Sequence, residues 1–298
     1  ALICHRSGIG KKRKPVPYFI KMLKPRQYFF LLILLLTGRA VFAQSSQENY
    51  ETGKKLKAAG KCQEALVYFR KATEEKSDFG EAYYESGWCY NELNDHGKAL
   101  EQLRNAAKFL PGDKNVAYET GYAYYNLDSA DLALKLYQKV LSMDSAYLLA
   151  KLGMGDIFRD KKKDSKEALK WYKEVLAVDR ANKKAYYWAG WCCNELRNFS
   201  DAVPFLKNVI SIDSSYYLGY SELGYAYYSM GNMDEAIPVL KVAQEAQPKI
   251  ETAAYYLGLC YVKKGQKQEA IKIYNEMVLS GSKLAVNLLP EIQKMPAD

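Results

Sequence analysis

Cysteine and histidine are the side chains in this sequence best suited to catalysis or metal binding, and there are few of them. The chain has six cysteines and two histidines, His5 and His96. The adjacent Cys192 and Cys193 lack the spacing of a metal-binding pair, and cysteine is often a small buried hydrophobic residue. No phosphate-binding glycine loop or nucleophile elbow occurs. We therefore predict that the protein is not an enzyme and binds no metal, cofactor or small-molecule substrate.

Tyrosine is unusually abundant, with 26 tyrosines against 10 phenylalanines. Tyrosine and tryptophan combine a large apolar face with a polar tip, and little rotamer entropy is lost when they are fixed. Such residues suit a binding surface, but they also pack in cores. Their positions along the chain must distinguish these two uses.

The net charge of +9 comes from the N-terminal segment alone. Residues 1–43 hold nine basic residues and no acidic one, and the rest of the chain has 34 basic and 34 acidic residues. Phosphate binding needs a positive surface, which a neutral body does not supply. We therefore predict no nucleic-acid partner.

Residues 22–43 have the composition of a signal peptide: a basic start, a short apolar run and a small-residue ending. The apolar run Tyr28–Leu36 is about half as long as a helix that spans a bilayer. The ending Val41-Phe42-Ala43 predicts cleavage before Gln44, and hence export to the periplasm or the medium. The alternative is that the leader stays uncleaved and serves as the only membrane contact.

Residues 1–21 precede Met22 and are strongly basic. We interpret them as an over-extended start, the alternative being an unusually long basic region of the leader. Residues 1–43 are excluded from the prediction of the fold in either case.

Small residues reveal an internal period of 34 residues, with a single spacing of 35. One series is Gly53, Gly87, Gly121, Gly155, Gly190, Gly224 and Gly258. The other is Ala65, Ala99, Ala133, Ala168, Ala202, Ala236 and Ala270. Two independent series with one period predict tandem structural repeats.

Each repeat has the pattern of two amphipathic helices joined by a polar turn. In the last repeat, Leu257 and Tyr261 share one helical face, and Gly258 permits close approach of a second helix. Ala270 and Tyr274 form the facing stripe. Helix N-caps are expected at one repeat position, which holds Asp95, Ser129, Asp164, Asn198 and Asn232. One hairpin cannot bury its own stripe, so neighbours must stack.

This pattern resembles the tetratricopeptide repeat. Repeat six carries it most fully, with Tyr220, Leu223, Gly224, Tyr227, Ala236, Leu240, Ala243 and Pro248. The resemblance implies an all-α fold, a right-handed superhelical solenoid of tandem helix-turn-helix repeats that acts by binding a partner. The seven repeats are predicted at 46–79, 80–113, 114–147, 148–182, 183–216, 217–250 and 251–282.

Two further features concern the organisation of the array. Residues 283–298 are predicted to form a capping helix and tail, because Leu284, Leu288 and Ile292 share one side. The segments that begin at Trp88 and Trp191 are nearly identical and lie 103 residues apart. Repeats two to four are thus interpreted as a block duplicated in repeats five to seven, with parallel drift of similar repeats as the alternative.

The resemblance also implies a concave groove, lined by first-helix residues three before, one after and four after the repeat glycine. These positions hold Tyr84, Trp88 and Asn91; Tyr118, Tyr122 and Tyr125; Tyr187, Trp191 and Asn194; and Ser221, Tyr225 and Tyr228. The alternative is that these aromatic rings pack on neighbouring repeats. The asparagines can donate and accept, as residues that read a partner's backbone must.

Repeat four interrupts the aromatic positions with Leu152, Asp156 and Arg159. The sequence therefore predicts two aromatic clusters separated by a polar break. A partner that contacts both clusters would need apolar or proline-rich segments at two points.

Cys62 and Cys89 form a candidate disulfide. Cys62 begins the second helix of repeat one, and Cys89 lies on the first helix of repeat two, which should pack against it. An exported protein meets oxidising conditions, in which such a pair can close.

Two hypotheses for function follow. The first is an exported, non-enzymatic scaffold that binds a protein or peptide segment in an aromatic-lined concave groove. The second is a structural subunit or assembly factor of a cell-envelope complex, which would use the convex face or the ends. Saturable binding of a short peptide would favour the first.

Overall fold

A computed structural model describes residues 45–296. The predicted leader and the cleavage site before Gln44 lie outside the described residues. Within them the chain forms fifteen α-helices and no β-strand. The helices are α1 (45–58), α2 (Cys62–Glu75), α3 (Gly80–Glu92), α4 (His96–Phe109), α5 (Lys114–Asn126), α6 (Ala130–Met143), α7 (Leu148–Asp160), α8 (Ser165–Val178), α9 (Lys183–Glu195), α10 (Phe199–Ile212), α11 (Tyr217–Ser229), α12 (Met233–Ala246), α13 (Glu251–Lys263), α14 (Lys267–Leu279) and α15 (Ala285–Gln293).

Consecutive helices pair as hairpins, and each hairpin packs on the next. Seven such hairpins run from α1/α2 to α13/α14 in the described part of the chain. Helix α15 contacts both helices of the last hairpin, and its Leu288 and Ile292 are buried. The predicted all-α solenoid with a capping helix is confirmed.

The two series of small residues determine how closely the paired helices approach. All seven alanines of the periodic series are completely buried. A Cβ on Gly224 would lie 2.3 Å from Cγ of Leu240, and one on Gly87 would lie 2.5 Å from Cγ of Leu103. Any larger residue there would force the helices of a hairpin apart, because helix interfaces are close-packed.

The five predicted N-cap residues all precede a second helix, but only two of their side chains act as caps. Asp95 accepts from the backbone N–H of Lys98, and Asp164 accepts from that of Glu167. No cap hydrogen bond is made by the side chains of Ser129, Asn198 and Asn232. The sequence analysis also missed two first-helix caps, Asp113 and Asn182.

The array curves because its two helix layers pack differently. First helices of successive hairpins contact each other at four junctions, α3 with α5, α5 with α7, α9 with α11, and α11 with α13, whereas α7 and α9 make no comparable contact among the described residues. Successive second helices make no comparable contact in residues 45–296. The first helices are thus the closer-packed layer and form the inner surface, here called the concave face.

Candidate functional site

The predicted groove residues differ in how accessible they are on the concave face. Eight are half-buried: Tyr84, Trp88, Tyr118, Tyr122, Tyr125, Trp191, Tyr225 and Tyr228. Four are buried: Asn91, Tyr187, Asn194 and Ser221. The second group cannot contact a partner without rearrangement, so the predicted groove is smaller than the sequence suggested.

Asn91 and Asn194 hold neighbouring repeats together, so the interpretation that they read a partner's backbone is wrong. The Nδ2 group of Asn91 donates to the backbone oxygen of Glu119 at 3.1 Å and to its Oε2 at 2.8 Å. Asn194 makes the same two bonds to Glu222, at the same distances. Each amide side chain therefore bridges the first helices of two successive hairpins.

These two bridges differ at one atom. Oδ1 of Asn91 lies 3.2 Å from Nδ1 of His96. Oδ1 of Asn194 is buried and has no hydrogen-bond partner among the described residues. The residue that corresponds to His96 in this repeat is Phe199, which offers no polar group.

Glu119 is only 7% exposed, and its pKa is raised to about 7, chiefly by burial. The Asn91 hydrogen bond and Lys57 oppose this rise, and the charges of Glu92 and Glu85 contribute to it. The pKa of Glu222 is likewise raised by burial and lowered by Asn194. A buried carboxylate is costly when ionised, so stability should depend on pH.

Glu119→Gln is expected to raise the stability of the protein above neutral pH. The folded-state pKa of Glu119 lies above the ordinary value of 4.5. Its contribution to stability is therefore full below that value and is lost as the pH rises through about 7. Glutamine keeps an acceptor for Asn91 and removes the charge, so the gain at about pH 8 should be ~2–3 kcal/mol.

Urea unfolding at several pH values measures this effect. The native protein and Glu119→Gln should converge below pH ~4.5, where Glu119 becomes protonated in both the folded and the unfolded state. Glu101→Gln, on the exposed face of α4, controls for the loss of one negative charge. A constant difference between the native protein and Glu119→Gln at all pH values would contradict the prediction.

The aromatic residues of repeats two and three are largely engaged by other parts of the chain. Nζ of Lys57 lies 3.9 Å above the centroid of the Trp88 ring and forms an ion pair with Glu85. The Tyr118 ring packs against two other tyrosine rings, both with centroids at 5.5 Å. The hydroxyl of Tyr125 donates to Asp160 at 2.5 Å. Little of this cluster is left to contact a partner.

The polar break predicted in repeat four is a closed ion network around Arg159. The guanidinium group donates to Asp156 at 3.0 Å and to Asp160 at 2.6 and 2.7 Å, and it lies 3.4 Å from the centroid of the Trp188 ring. The hydroxyl of Tyr172 also accepts from it, at 2.8 Å. Arg159 is buried, so this charge stabilises the junction between repeats four and five and is not displayed to a ligand.

Tyr187 was predicted to line the groove, but it belongs to the core. Trp188 and Tyr216 pack against it, with ring centroids at 4.7 and 5.1 Å. Trp191 remains half-buried beside it and faces a small cleft bounded by Arg159. The surrounding rings enclose Tyr187, which a rule based on repeat position could not reveal.

An open aromatic surface lies mainly in repeats six and seven, and we call it the C-terminal aromatic cleft. The centroid of Tyr256 lies 4.7 Å from that of Tyr225, and 5.3 Å from those of Tyr228 and Tyr255. Phe199 extends the row, at 5.7 Å from Tyr225. These rings line a cavity of about 670 Å³ together with Met233, Leu259, Arg197 and Lys263.

Sequence reasoning found Tyr225 and Tyr228 but missed the contribution of repeat seven. Tyr255 and Leu259 stand three before and one after Gly258, so the groove rule would have identified them if it had been applied there. Tyr256 and Phe199 lie outside that rule. Their part in the cleft depends on how two hairpins meet.

Cys62 and Cys89 are expected to form a disulfide in the exported protein. The structure has both as buried free thiols in one cluster. Burial raises the pKa of Cys89, and a hydrogen bond with Cys62 raises it further. Closing this loop should add about 2–4 kcal/mol to the free energy of unfolding. Non-reducing peptide mapping of the exported protein is the measurement, and free thiols at both positions would contradict the prediction.

In residues 45–296 no group of three His, Cys, Asp or Glu side chains is placed to hold a metal ion. No helix there is both long and apolar enough to cross a membrane.

Several solved structures are similar to this one. MamA is 25% identical, with a TM-score of 0.51, and the match covers 59% of this chain and 97% of MamA. YrrB, a TPR protein with an unusual peptide-binding site, is 21% identical, with a TM-score of 0.55 over 64% of this chain and 94% of YrrB. The C-terminal part of a TPR protein from Cytophaga hutchinsonii is 17% identical, with a TM-score of 0.65 over 80% of this chain and 99% of its own.

Comparison of the sequence with protein families gives the identity of the repeats. No curated protein matches the chain significantly. One family model, described as tetratricopeptide repeat, matches residues 50–114, 118–181 and 221–283, and a second with the same description matches 183–216. These matches cover well over half of the sequence and include every hairpin of the array. The chain therefore belongs to the tetratricopeptide repeat family.

Proposed function

We propose that this protein is an exported, non-enzymatic scaffold that binds a segment of a partner protein on its concave face. The observation that carries the proposal is the C-terminal aromatic cleft, where five aromatic rings line one open cavity. Aromatic residues dominate the energy of protein interfaces because they bury a large area at little entropic cost. The peptide-binding site of YrrB, a protein of similar fold, supports binding of a peptide segment.

Binding by an extended segment fits the geometry of the repeats. The concave face is built from successive first helices, so anchoring points recur along one direction. The Arg159 network occupies the middle of this face. We therefore assign the main anchor to repeats six and seven, and a weaker contact to Trp191.

The experiment that tests this function is affinity purification from native envelope extracts with the full chain as bait. The native protein and the variant Tyr225→Ala/Tyr256→Ala are compared in parallel. Partners recovered with the native protein and lost with the variant would bind through the cleft. Equal recovery with both would refute the proposed site.

A second candidate function is a structural subunit that assembles through the end of the array. It is favoured by the exposed apolar side chains at the C-terminal end, where Val278, Leu279 and Val286 are 51%, 87% and 71% exposed. Isolated apolar residues are common on surfaces, but adjacent ones often mark contacts. Copurification only with a large complex, unaffected by the cleft variant, would favour this candidate.

If the protein is exported by cleavage of the predicted signal peptide, the mature chain should begin at Gln44. The short apolar run and the small residues before Ala43 suit a signal peptide better than a membrane anchor. Intact-mass measurement on protein from a secreting host gives the N-terminus directly. Retention of residues 22–43 would instead indicate an anchored protein.

A further inference from the structure

We propose that the C-terminal aromatic cleft selects an acidic partner segment, one in which an aromatic or aliphatic side chain is flanked by aspartate or glutamate. This inference rests on the proposed function and adds the chemistry of the ligand. It follows from the charges around the cleft and from the hydrogen-bond donors inside it.

The rim of the cleft carries two free positive charges. Arg197 and Lys263 line it from opposite hairpins, and neither forms an ion pair within the described residues. The adjacent Lys264, by contrast, forms an ion pair with Asp234. Arg197 has φ of 60°, in the turn that precedes α10, so its backbone is fixed next to Phe199.

Two carboxylates that act electrostatically on rings of the cleft are already engaged elsewhere. None of the described residues that line the cavity is acidic. Glu222, whose charge raises the pKa of Tyr256, accepts a hydrogen bond from Asn194. Glu291, whose charge raises the pKa of Tyr228, forms an ion pair with Lys294 at 2.6 Å. The two rim cations are therefore left to a ligand.

Inside the cleft, four phenol groups are available as donors. The hydroxyls of Tyr225, Tyr228, Tyr255 and Tyr256 make no hydrogen bond to any described residue. Three other tyrosine hydroxyls in residues 45–296 do form hydrogen bonds, those of Tyr125, Tyr147 and Tyr172. Burial raises the pKa of Tyr256 to about 12, so this hydroxyl remains protonated. Carboxylates and backbone carbonyls are the acceptors that such donors fit.

A ligand that satisfies both features has an apolar side chain for the rings and carboxylates for the rim. A basic segment would be repelled by the positive charges of Arg197 and Lys263. Complementary charge contributes more to the selectivity of binding than to its affinity. A neutral apolar segment would use the rings alone. The structure thus favours an acidic segment over either of these.

Selection of a randomised peptide library on the full chain tests the inference, with the variant Tyr225→Ala/Tyr256→Ala selected in parallel. Acidic residues should be enriched around an aromatic or aliphatic residue, and the enrichment should vanish with the variant. Enriched peptides that are basic or neutral, yet depend on the cleft, would overturn the acidic inference and leave the proposed function standing. Enrichment equal on both proteins, or none, would overturn both.

Fluorescence anisotropy with a selected peptide then measures the contribution of charge. Replacing its acidic residues by lysine should weaken binding about tenfold, and added salt should reduce that difference. The variant Arg197→Asn/Lys263→Gln should lose the preference for the acidic peptide over its lysine counterpart. Asparagine is chosen at position 197 because it tolerates the positive φ of the backbone there. Arg180→Gln/Lys166→Gln, with both residues exposed and away from the cleft, is the matched control and should keep the preference. An unchanged preference in the rim variant would refute the assignment of Arg197 and Lys263.

Discussion

Gly153→Ala should lower the free energy of unfolding by about 1–3 kcal/mol, the usual cost of overpacking a core. The Tyr137 ring is 1% exposed and lies between two glycines of adjacent hairpins. A Cβ on Gly153 would lie 2.4 Å from Cε2 of this ring, and one on Gly121 would lie 2.8 Å from Cε1. The ring has no free side into which it could move.

The chain offers a matched control and a compensating change. Gly97 is also helical, but a Cβ there would meet nothing within 4 Å, so Gly97→Ala should be neutral or stabilising by up to about 1 kcal/mol. Leucine replaces Tyr137 at the corresponding position of several repeats, such as Leu103. Tyr137→Leu should therefore relieve part of the strain, and the double variant should be less destabilised than the sum of the singles by about 1 kcal/mol.

Urea denaturation monitored by circular dichroism compares the four variants with the native protein. The midpoint should shift for Gly153→Ala with the slope unchanged if unfolding remains cooperative. Equal stabilities for Gly153→Ala and Gly97→Ala would contradict the close packing around Tyr137. Strict additivity with Tyr137→Leu would show that the two positions do not act through one contact.

Gly153 also illustrates how far the sequence determines the fold. The periodic glycines and alanines predict the helix pairs, since small residues recur only where helices meet. Gly153 lies outside both series and faces Tyr137 of the preceding repeat, which is larger than the leucine that repeats two, five and six have at that position. Its role depends on a neighbour in the preceding hairpin, which no single-repeat pattern contains.

The candidate site was less predictable because it depends on contacts between repeats. Tyr84 and Asn91 both occupy groove positions of the family pattern, three before and four after Gly87. Only Asn91 is buried, because Glu119 from the next hairpin packs against it. Tyr187 has the same repeat position as Tyr84, but Trp188 stands next to it where repeat two has Glu85. The sequence specified which residues point inward, whereas the neighbouring hairpins decide which of them remain accessible.

The two related halves of the array also differ more than their sequences suggest. Beside Trp88, Lys57 of repeat one forms an ion pair with Glu85 of repeat two. The residues that correspond to them 103 positions later are Asp160 and Trp188, which join the network around Arg159. Lys57 thus covers the Trp88 ring in the first half, whereas in the second half Trp191 packs against Trp188 with ring centroids 5.9 Å apart. The open surface remains in repeats six and seven, beyond either tryptophan.

Tyr225→Ala/Tyr256→Ala should weaken partner binding by about 2 kcal/mol or more, which is ~30-fold or more in Kd. These two rings are the most closely spaced pair of the C-terminal aromatic cleft, with centroids 4.7 Å apart. Anchors of this kind bury their whole face against a partner, and alanine removes both the apolar contact and the hydroxyl donor. Each ring is half-buried in the free protein, so its removal should cost the fold little.

Isothermal titration calorimetry with a cleft-binding peptide gives the loss of affinity, and circular dichroism reports the helices. Tyr68→Ala, on helix α2 and outside the concave face, is the matched control and should bind normally. Trp88→Ala should weaken binding less than the double variant, because Lys57 already covers that ring. A loss of helicity in Tyr225→Ala/Tyr256→Ala would assign these tyrosines to the core. Normal affinity with intact helicity would instead mean that the partner binds elsewhere on the array, since a ligand that fills the cleft must contact both rings.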